Sequence, residues 1–217
     1  MFTPKRVQTE ELLDEHDAPR SDMERSLRDL RRINWYCGGV SIYRRLLRRF
    51  ENVQSVLDVG AGTADLLENV PQVRLRIALD FKIDHLLYMR NGSAVRRVVA
   101  DAARLPFRDG TVDVVTSAHF FHHFTEDENA LILRDALRVS RQGVSMNDTR
   151  RHYAPLLFVR LMSALRLVGR ITRYDAPASV LRGYTIAEAA RVAGAVGASR
   201  NKVVRAFPFR FGILLWK

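Results

Sequence analysis

The stretch Val56-Leu57-Asp58-Val59-Gly60-Ala61-Gly62-Thr63 constrains this 217-residue chain more than any other. An apolar run ends in an acid, and two glycines follow at alternate positions. This reads as a buried strand feeding a tight turn and then a helix N-terminus. Glycine lets a ligand approach the backbone and tolerates positive φ. A dinucleotide site would offer its helix N–H groups to a pyrophosphate under the full G-x-G-x-x-G pattern. Here the third glycine position is Asp65, and Asp58 places a second carboxylate just before the turn. Carboxylates repel pyrophosphate and suit a cationic ligand, so hydride transfer with a dinucleotide fails on Asp58 and Asp65.

From Ser55 onward the pattern alternates strand and helix. Apolar strands are expected at 55–59, 75–79, 97–100, 112–116 and 143–147, with helices near 63–69, 82–90 and 126–140. Thr125 and Glu128 have capping-box spacing, and Asp109-Gly110 marks a turn. Such alternation implies a parallel sheet with right-handed crossovers and helices on both faces. Two closing strands, near 202–207 and 211–216, flank Pro208 and are placed to form an antiparallel hairpin. Residues 1–20 read as a loose, mixed-charge lead-in. A helix is expected from Ser21, with Glu24 at capping-box distance and Leu27, Leu30 and Ile33 as its apolar stripe; Gly38-Gly39 breaks it. A second helix is expected from Ser41 to Phe50. Residues 1–50 then form a helical cap, and 51–217 the core.

Residues 153–172 interrupt the rhythm. They read as one amphipathic helix, with Arg160, Arg166 and Arg170 on about a third of its circumference. Its roles are an ordinary core helix, a lid over an apolar substrate within an insertion near 153–183, or a membrane-surface contact. Tyr174 to Gly183 reads as a loop. Thr185 and Glu188 open a further, alanine-rich helix.

Three acids end the first three strands: Asp58, Asp80 after Leu75–Leu79, and Asp101 after Val98-Val99-Ala100. Ligands of open α/β sheets bind outside those ends. A carboxylate at Asp80 can accept from a ribose diol. One at Asp101 can accept from an adenine amine, with Ala102 beside the ring and Phe81 stacked on it or walling it off. The competing reading is that each acid caps the helix after it. The motifs VLDVGAGTADL (56–66), IALDF (77–81), VVADAARLPF (98–107) and VDVVTSAHFFHHF (112–124) resemble the class I S-adenosylmethionine (SAM)-dependent methyltransferases, in their quinone- and polyketide-methylating small-molecule branch. The resemblance covers about Val53 to Asn147. It implies a Rossmann-like, mostly parallel seven-stranded sheet with a terminal antiparallel hairpin. It also implies SAM contacts at Asp58, Gly60, Gly62, Asp80, Asp101 and Ala102. Ala61, Phe81 and Ser117 complete the candidate set. N-terminal helices would close over the cofactor, with Trp35, Tyr36 and Gly38 as candidates.

Methyl transfer needs donor and acceptor held in line. A phenolic acceptor also benefits from a base, for which histidine is the usual choice at neutral pH. His119, His122 and His123 follow the fourth strand and are the candidates for one general base. Adjacent histidines diverge, so at most one of His122 and His123 is expected to face the pocket. No accompanying carboxylate has clear ligand spacing, so no metal site is expected. Asn147-Asp148 either adds a polar group to the acceptor pocket or caps a turn, and Arg150 and Arg151 read as solvated.

Net charge is +11, nearly all of it from arginine. The arginines are spread along the chain rather than gathered in a stripe, which argues against nucleic acid. Thr116-Ser117-Ala118-His119 also departs from the N/D-P-P-Y/F pattern of amino-methylating nucleic-acid enzymes. A nucleic-acid methyltransferase and a non-catalytic partner-binding subunit are the alternatives to a small-molecule enzyme. The single cysteine, Cys37, excludes an internal disulfide. No apolar signal core opens the chain and no run of about 18 apolar residues occurs, so a cytoplasmic location is expected. Nothing in the pattern fixes the oligomeric state.

Overall fold

The computed structural model describes residues 3–9, 11–14, 19–89 and 92–217. Five parallel strands come first: β1 (Ser55–Val59), β2 (Leu75–Asp80), β3 (Arg96–Val99), β4 (Val112–Ala118) and β5 (Ser140–Thr149). With β6 (Arg200–Ala206) and β7 (Arg210–Trp216) they form one sheet in the order β3-β2-β1-β4-β5-β7-β6. β7 runs antiparallel to both β5 and β6. The seven-stranded sheet and its terminal hairpin therefore stand as expected. The order reverses between β1 and β4, where an open parallel sheet leaves a crevice at its carboxyl edge.

Both faces of the sheet are covered, which is why β1 is buried at every position. Leu57 and Val59 face one core with Ile132, Leu133 and Ala136 of α5 (Glu126–Val139) and Val192 of α8 (Ile186–Ala195). Val56 faces the other, with Ile42, Tyr43 and Leu46 of α2 (Gly39–Leu47) and Leu66 and Leu67 of α3 (Asp65–Glu68). The capping boxes at Thr125/Glu128 and Thr185/Glu188 both form. α4 (Ile83–Leu87) is shorter than expected, and Arg90 lies outside the described residues, as do parts of the 1–20 lead-in.

The first helix differs at its start. α1 (Arg20–Tyr36) begins after Pro19 with no side-chain cap, so Ser21 lies inside it. Glu24 instead accepts from Arg20 Nε at 3.3 Å and from Tyr88 Oη at 3.0 Å. The segment expected as one helix and a loop is two helices, α6 (Tyr153–Ala164) and α7 (Arg170–Arg182). Apolar residues run through the break, which hides it. Asp29 Oδ2 accepts from Gly169 N at 2.7 Å and fixes the restart. Pro177 sits inside α7, where it denies the Arg173 carbonyl its helical donor. Ser163 Oγ, whose proton has its nearer acceptor in Val159 O at 2.8 Å, lies 3.3 Å from that oxygen and offers it a shared bond. No described helix is long and apolar enough to cross a membrane.

Candidate cofactor and acceptor site

The turn after β1 is built by two glycines and one acid. Gly60 has φ 66° and Gly62 φ 54°. Gly62 N donates to Asp80 Oδ2 at 2.8 Å, and Ala61 N to Leu79 O at 3.0 Å. A Cβ on Gly60 would stand 2.3 Å from the Phe120 ring, so glycine is required there for packing; one on Gly62 would meet nothing within 4 Å. Asp80 also accepts from Lys82 N at 2.9 Å and lies 3.6 Å from His85 Nδ1. Burial raises its pKa, but His85 and the two backbone N–H groups outweigh this and hold it below the ordinary value. Asp101 is exposed and accepts from Ala103 N at 2.8 Å, so it does cap the turn after β3.

Asp58 is different. It is 2% exposed, and no salt bridge reaches it among the described residues. Thr116 Oγ1 donates to it at 2.5 Å, and Tyr43 Oη lies 2.9 Å from the same threonine oxygen. Burial pushes the Asp58 pKa up to about 7; the Thr116 bond opposes this, and the charges of Asp65 and Asp80 add to it.

These groups open into one cavity of about 560 Å³ at the carboxyl edge of the sheet. Asp58, Gly60, Ala61, Gly62, Asp80, Phe81, Asp101 and Ala102 line it, together with His119, His122 and His123. Ser117 does not. It is buried, and its hydroxyl donates to Val59 O at 2.7 Å, because strand alternation turns it away from the crevice. Trp35 and Tyr36 are largely exposed, and Gly38 packs against Phe207 and Pro208 instead. α1 lines the cavity with Leu27, Leu30 and Asn34. α6 contributes no lining residue, and α7 only Ser179.

The three histidines occupy different chemical states. His119 has φ 53°, its Nδ1 lies 3.4 Å from Thr149 Oγ1, and its Nε2 is buried without a hydrogen-bond partner. Burial, then the charge of Arg210, push its pKa well below the ordinary value despite Asp148 at 3.8 Å. It is neutral at neutral pH. His122 is buried with Nδ1 3.0 Å from both Asp148 oxygens and Nε2 3.3 Å from Glu11 Oε1. Burial lowers its pKa, but the two carboxylates win and raise it to about 10. It is an imidazolium and has no room for another proton. His123 Nε2 lies 3.9 Å from Glu11 Oε2. Contrary to expectation both neighbours face the cavity, their ring centroids 4.3 Å apart, because the 3₁₀ turn Phe121–His123 brings the rings together.

Glu11 gave no sequence signal beyond standing beside Leu12-Leu13 in a polar stretch. The strap that carries it is fastened by Leu12 N and Leu13 N donating to Asp175, at 2.8 and 3.0 Å, and by Lys82 Nζ donating to Leu13 O at 2.8 Å. Glu11, His122 and His123 come within metal-ligand reach of one another. With no metal bound, the proton on His122 and Arg182, 3.8 Å from Glu11, hold the cluster together as an ion-pair latch. Asn147 and Asp148 do not line the cavity. Asp148 holds His122, and Asn147 Oδ1 accepts from Arg210 at 3.3 Å. Arg151 is not solvated: it is buried, donating to Gly183 O at 3.0 Å and Pro4 O at 2.6 Å and pairing with Glu188.

The cavity wall carries five carboxylates, Glu11, Asp58, Asp65, Asp80 and Asp101, against Lys82 and the imidazolium of His122, both already engaged. A buried acid without a cation and an open space over Gly62 fit a positively charged nucleoside and do not fit a pyrophosphate.

Residues 56–143 match the family model described as a methyltransferase domain. A demethylmenaquinone methyltransferase from Thermus thermophilus is 38% identical over 85 residues, which span 35% of this chain and 38% of that protein. The fold is shared with a SAM-dependent methyltransferase from Aquifex aeolicus (TM-score 0.61, 18% identity, 89% of this chain and 97% of that one). It is shared also with the plantazolicin methyltransferase BpumL, solved with SAH and a monoazolic desmethylPZN analogue (TM-score 0.67, 12% identity, 89% and 90%). In its β1–turn motif, its sheet order and this domain match, the chain is similar to the class I SAM-dependent methyltransferases.

Proposed function

We propose that this chain methylates a small acceptor, aromatic or lipid-like, at oxygen or carbon. The observation that carries the reading is one cavity lined by carboxylates, by apolar side chains and by three histidines. SAM, when bound, supplies an electrophilic methyl group on a sulfonium. Asp58, Asp80 and Asp101, with Gly60, Ala61, Gly62, Phe81 and Ala102, are the residues proposed to hold it. Leu13, Leu27, Leu30, Phe120 and Phe124 line the same cavity and favour an apolar acceptor.

His119 is the proposed general base. It is neutral, its Nε2 lacks a partner, and it sits directly after β4. A phenol with pKa near 10 needs such a group to lose its proton as the new bond forms. His122 is a positioning residue: it joins the strap to the β5 end and fixes the 3₁₀ turn that follows His119. The relative that acts on demethylmenaquinone favours a quinol or phenol over a nucleic acid.

The test is radiolabelled methyl transfer from SAM into a panel of phenols, hydroquinones and long-chain polyketide-like lipids, with RNA and DNA alongside. Label in a phenolic or hydroquinone product supports the proposal. Label only in nucleic acid, or none with SAM bound, overturns it.

A further inference from the structure

We propose that the outward face of α6 and its link to α7 dock on an anionic lipid surface. On α6 the inward side is formed by Pro155, Leu156, Val159 and Met162, with Pro155 and Leu156 buried. The outward side is also apolar. Tyr153, Leu157, Leu161 and Leu165 recur every four residues along one ridge, with Phe158 beside it, and all five are exposed, Leu157 at 70% and Leu165 at 60%. Leu167 extends the patch past the helix end, and Tyr174 of α7 is also exposed. Isolated exposed leucines need no explanation, but a continuous ridge on one helix marks an interaction face.

Charge decides what covers it. Residues 153–174 contain four arginines, Arg160, Arg166, Arg170 and Arg173, and no acid. Arg160, Arg166 and Arg170 are exposed, and among the described residues Arg170 has a single acidic neighbour, Asp22 at 3.9 Å. A second copy of the chain would oppose the same arginines to themselves across a two-fold axis. A bilayer with anionic headgroups instead takes leucine and aromatic side chains into its acyl boundary while guanidinium groups bind phosphate above it. The face lies outside the cavity, yet α7 packs against α6 and carries Ser179 to the cavity wall. The docked side is thus one helix away from the cavity wall, and the proposal stands whether or not the acceptor is itself a lipid.

The experiment is co-sedimentation of the full chain with vesicles of phosphatidylcholine, alone or with one third phosphatidylglycerol. Binding is expected only with phosphatidylglycerol, weakening as salt rises. Leu157→Glu/Leu161→Glu, both at exposed positions, is expected to lower affinity by about tenfold or more. Arg160→Glu/Arg170→Glu, which leaves the apolar ridge intact, is expected to do the same. Leu131→Glu, an exposed leucine on α5, is expected to bind like the parent. Three results overturn the proposal: equal binding to both vesicle types or to neither, unchanged binding by both double variants, or a dimer in sedimentation velocity that Leu157→Glu/Leu161→Glu dissociates.

Discussion

Thr116 stands in register with Asp58 across neighbouring parallel strands, and its hydroxyl meets the carboxylate at 2.5 Å. That single neutral donor leaves Asp58 with a pKa near 7. A cation bound beside it favours the ionised form. Cofactor affinity is therefore expected to rise about tenfold between pH 6 and pH 7.5, following the ionisation of one group. Asp58→Asn removes the slope and weakens binding by about 10- to 100-fold, the scale of a charged hydrogen bond. Isothermal titration across that pH range checks both; a flat profile in the parent would count against Asp58 as a cofactor contact.

The pH dependence of stability follows from the same group and from His122, in separate windows. Asp58 has a folded pKa raised above 3.8, so without ligand its contribution is complete below about pH 4 and is lost as pH rises through 7. His122 is raised from 6.5 to about 10, so its contribution is complete below 6.5 and is lost as pH rises through 10. Asp148, held below the ordinary carboxylate value, loses its share as pH falls below about 4. Denaturation midpoints are expected to fall in two steps from pH 4 to pH 10. Asp58→Asn abolishes the first step. His122→Gln abolishes the second and costs about 3 kcal/mol or more at pH 7, because Asp148 and Glu11 keep their burial and lose their partner.

Much of this was legible in the sequence because buried parallel strands read as apolar runs and an acid after such a run has few places to go. Asp58, Asp80 and Asp101 lie at the crevice for that reason. Ser117 does not, since one step along β4 reverses the side chain. Glu11 was illegible: it works only because the strap crosses to His122, more than a hundred residues away in sequence. The α6–α7 break was hidden because Leu165, Leu167 and Val168 continue the apolar pattern while Asp29, from another helix, sets the new start. Asp148 falls just past the expected fifth strand and Arg210 just before the last one, and only pairing of β5 with β7 makes them neighbours of the histidines.

The two glycines of the turn separate packing from binding. Gly60→Ala drives a methyl into Phe120 at a positive φ, and is expected to cost about 1–3 kcal/mol of stability as well as cofactor affinity. Gly62→Ala meets only open cavity, so its stability cost is expected to stay near the backbone term of about 1 kcal/mol. Its affinity loss is expected to exceed that of a purely structural defect. Thermal melts paired with titration distinguish the two variants; equal affinity for Gly62→Ala and the parent would place the ligand elsewhere.

His119 and His122 differ in what a substitution should change. His119→Asn keeps a residue that tolerates the left-handed backbone at φ 53° while removing the ring. With a phenolic acceptor kcat is expected to fall about 100-fold, the ordinary worth of a positioned base, with cofactor affinity near that of the parent. The deficit should shrink as the acceptor's own pKa drops or as pH rises, since the substrate then arrives already ionised. His122→Gln should depress kcat and raise KM together at every acceptor pKa, because it loosens the turn rather than removing a proton acceptor. Rates measured over a series of substituted phenols separate these patterns. If His122→Gln shows the pKa-dependent loss and His119→Asn does not, the base has been assigned to the wrong ring.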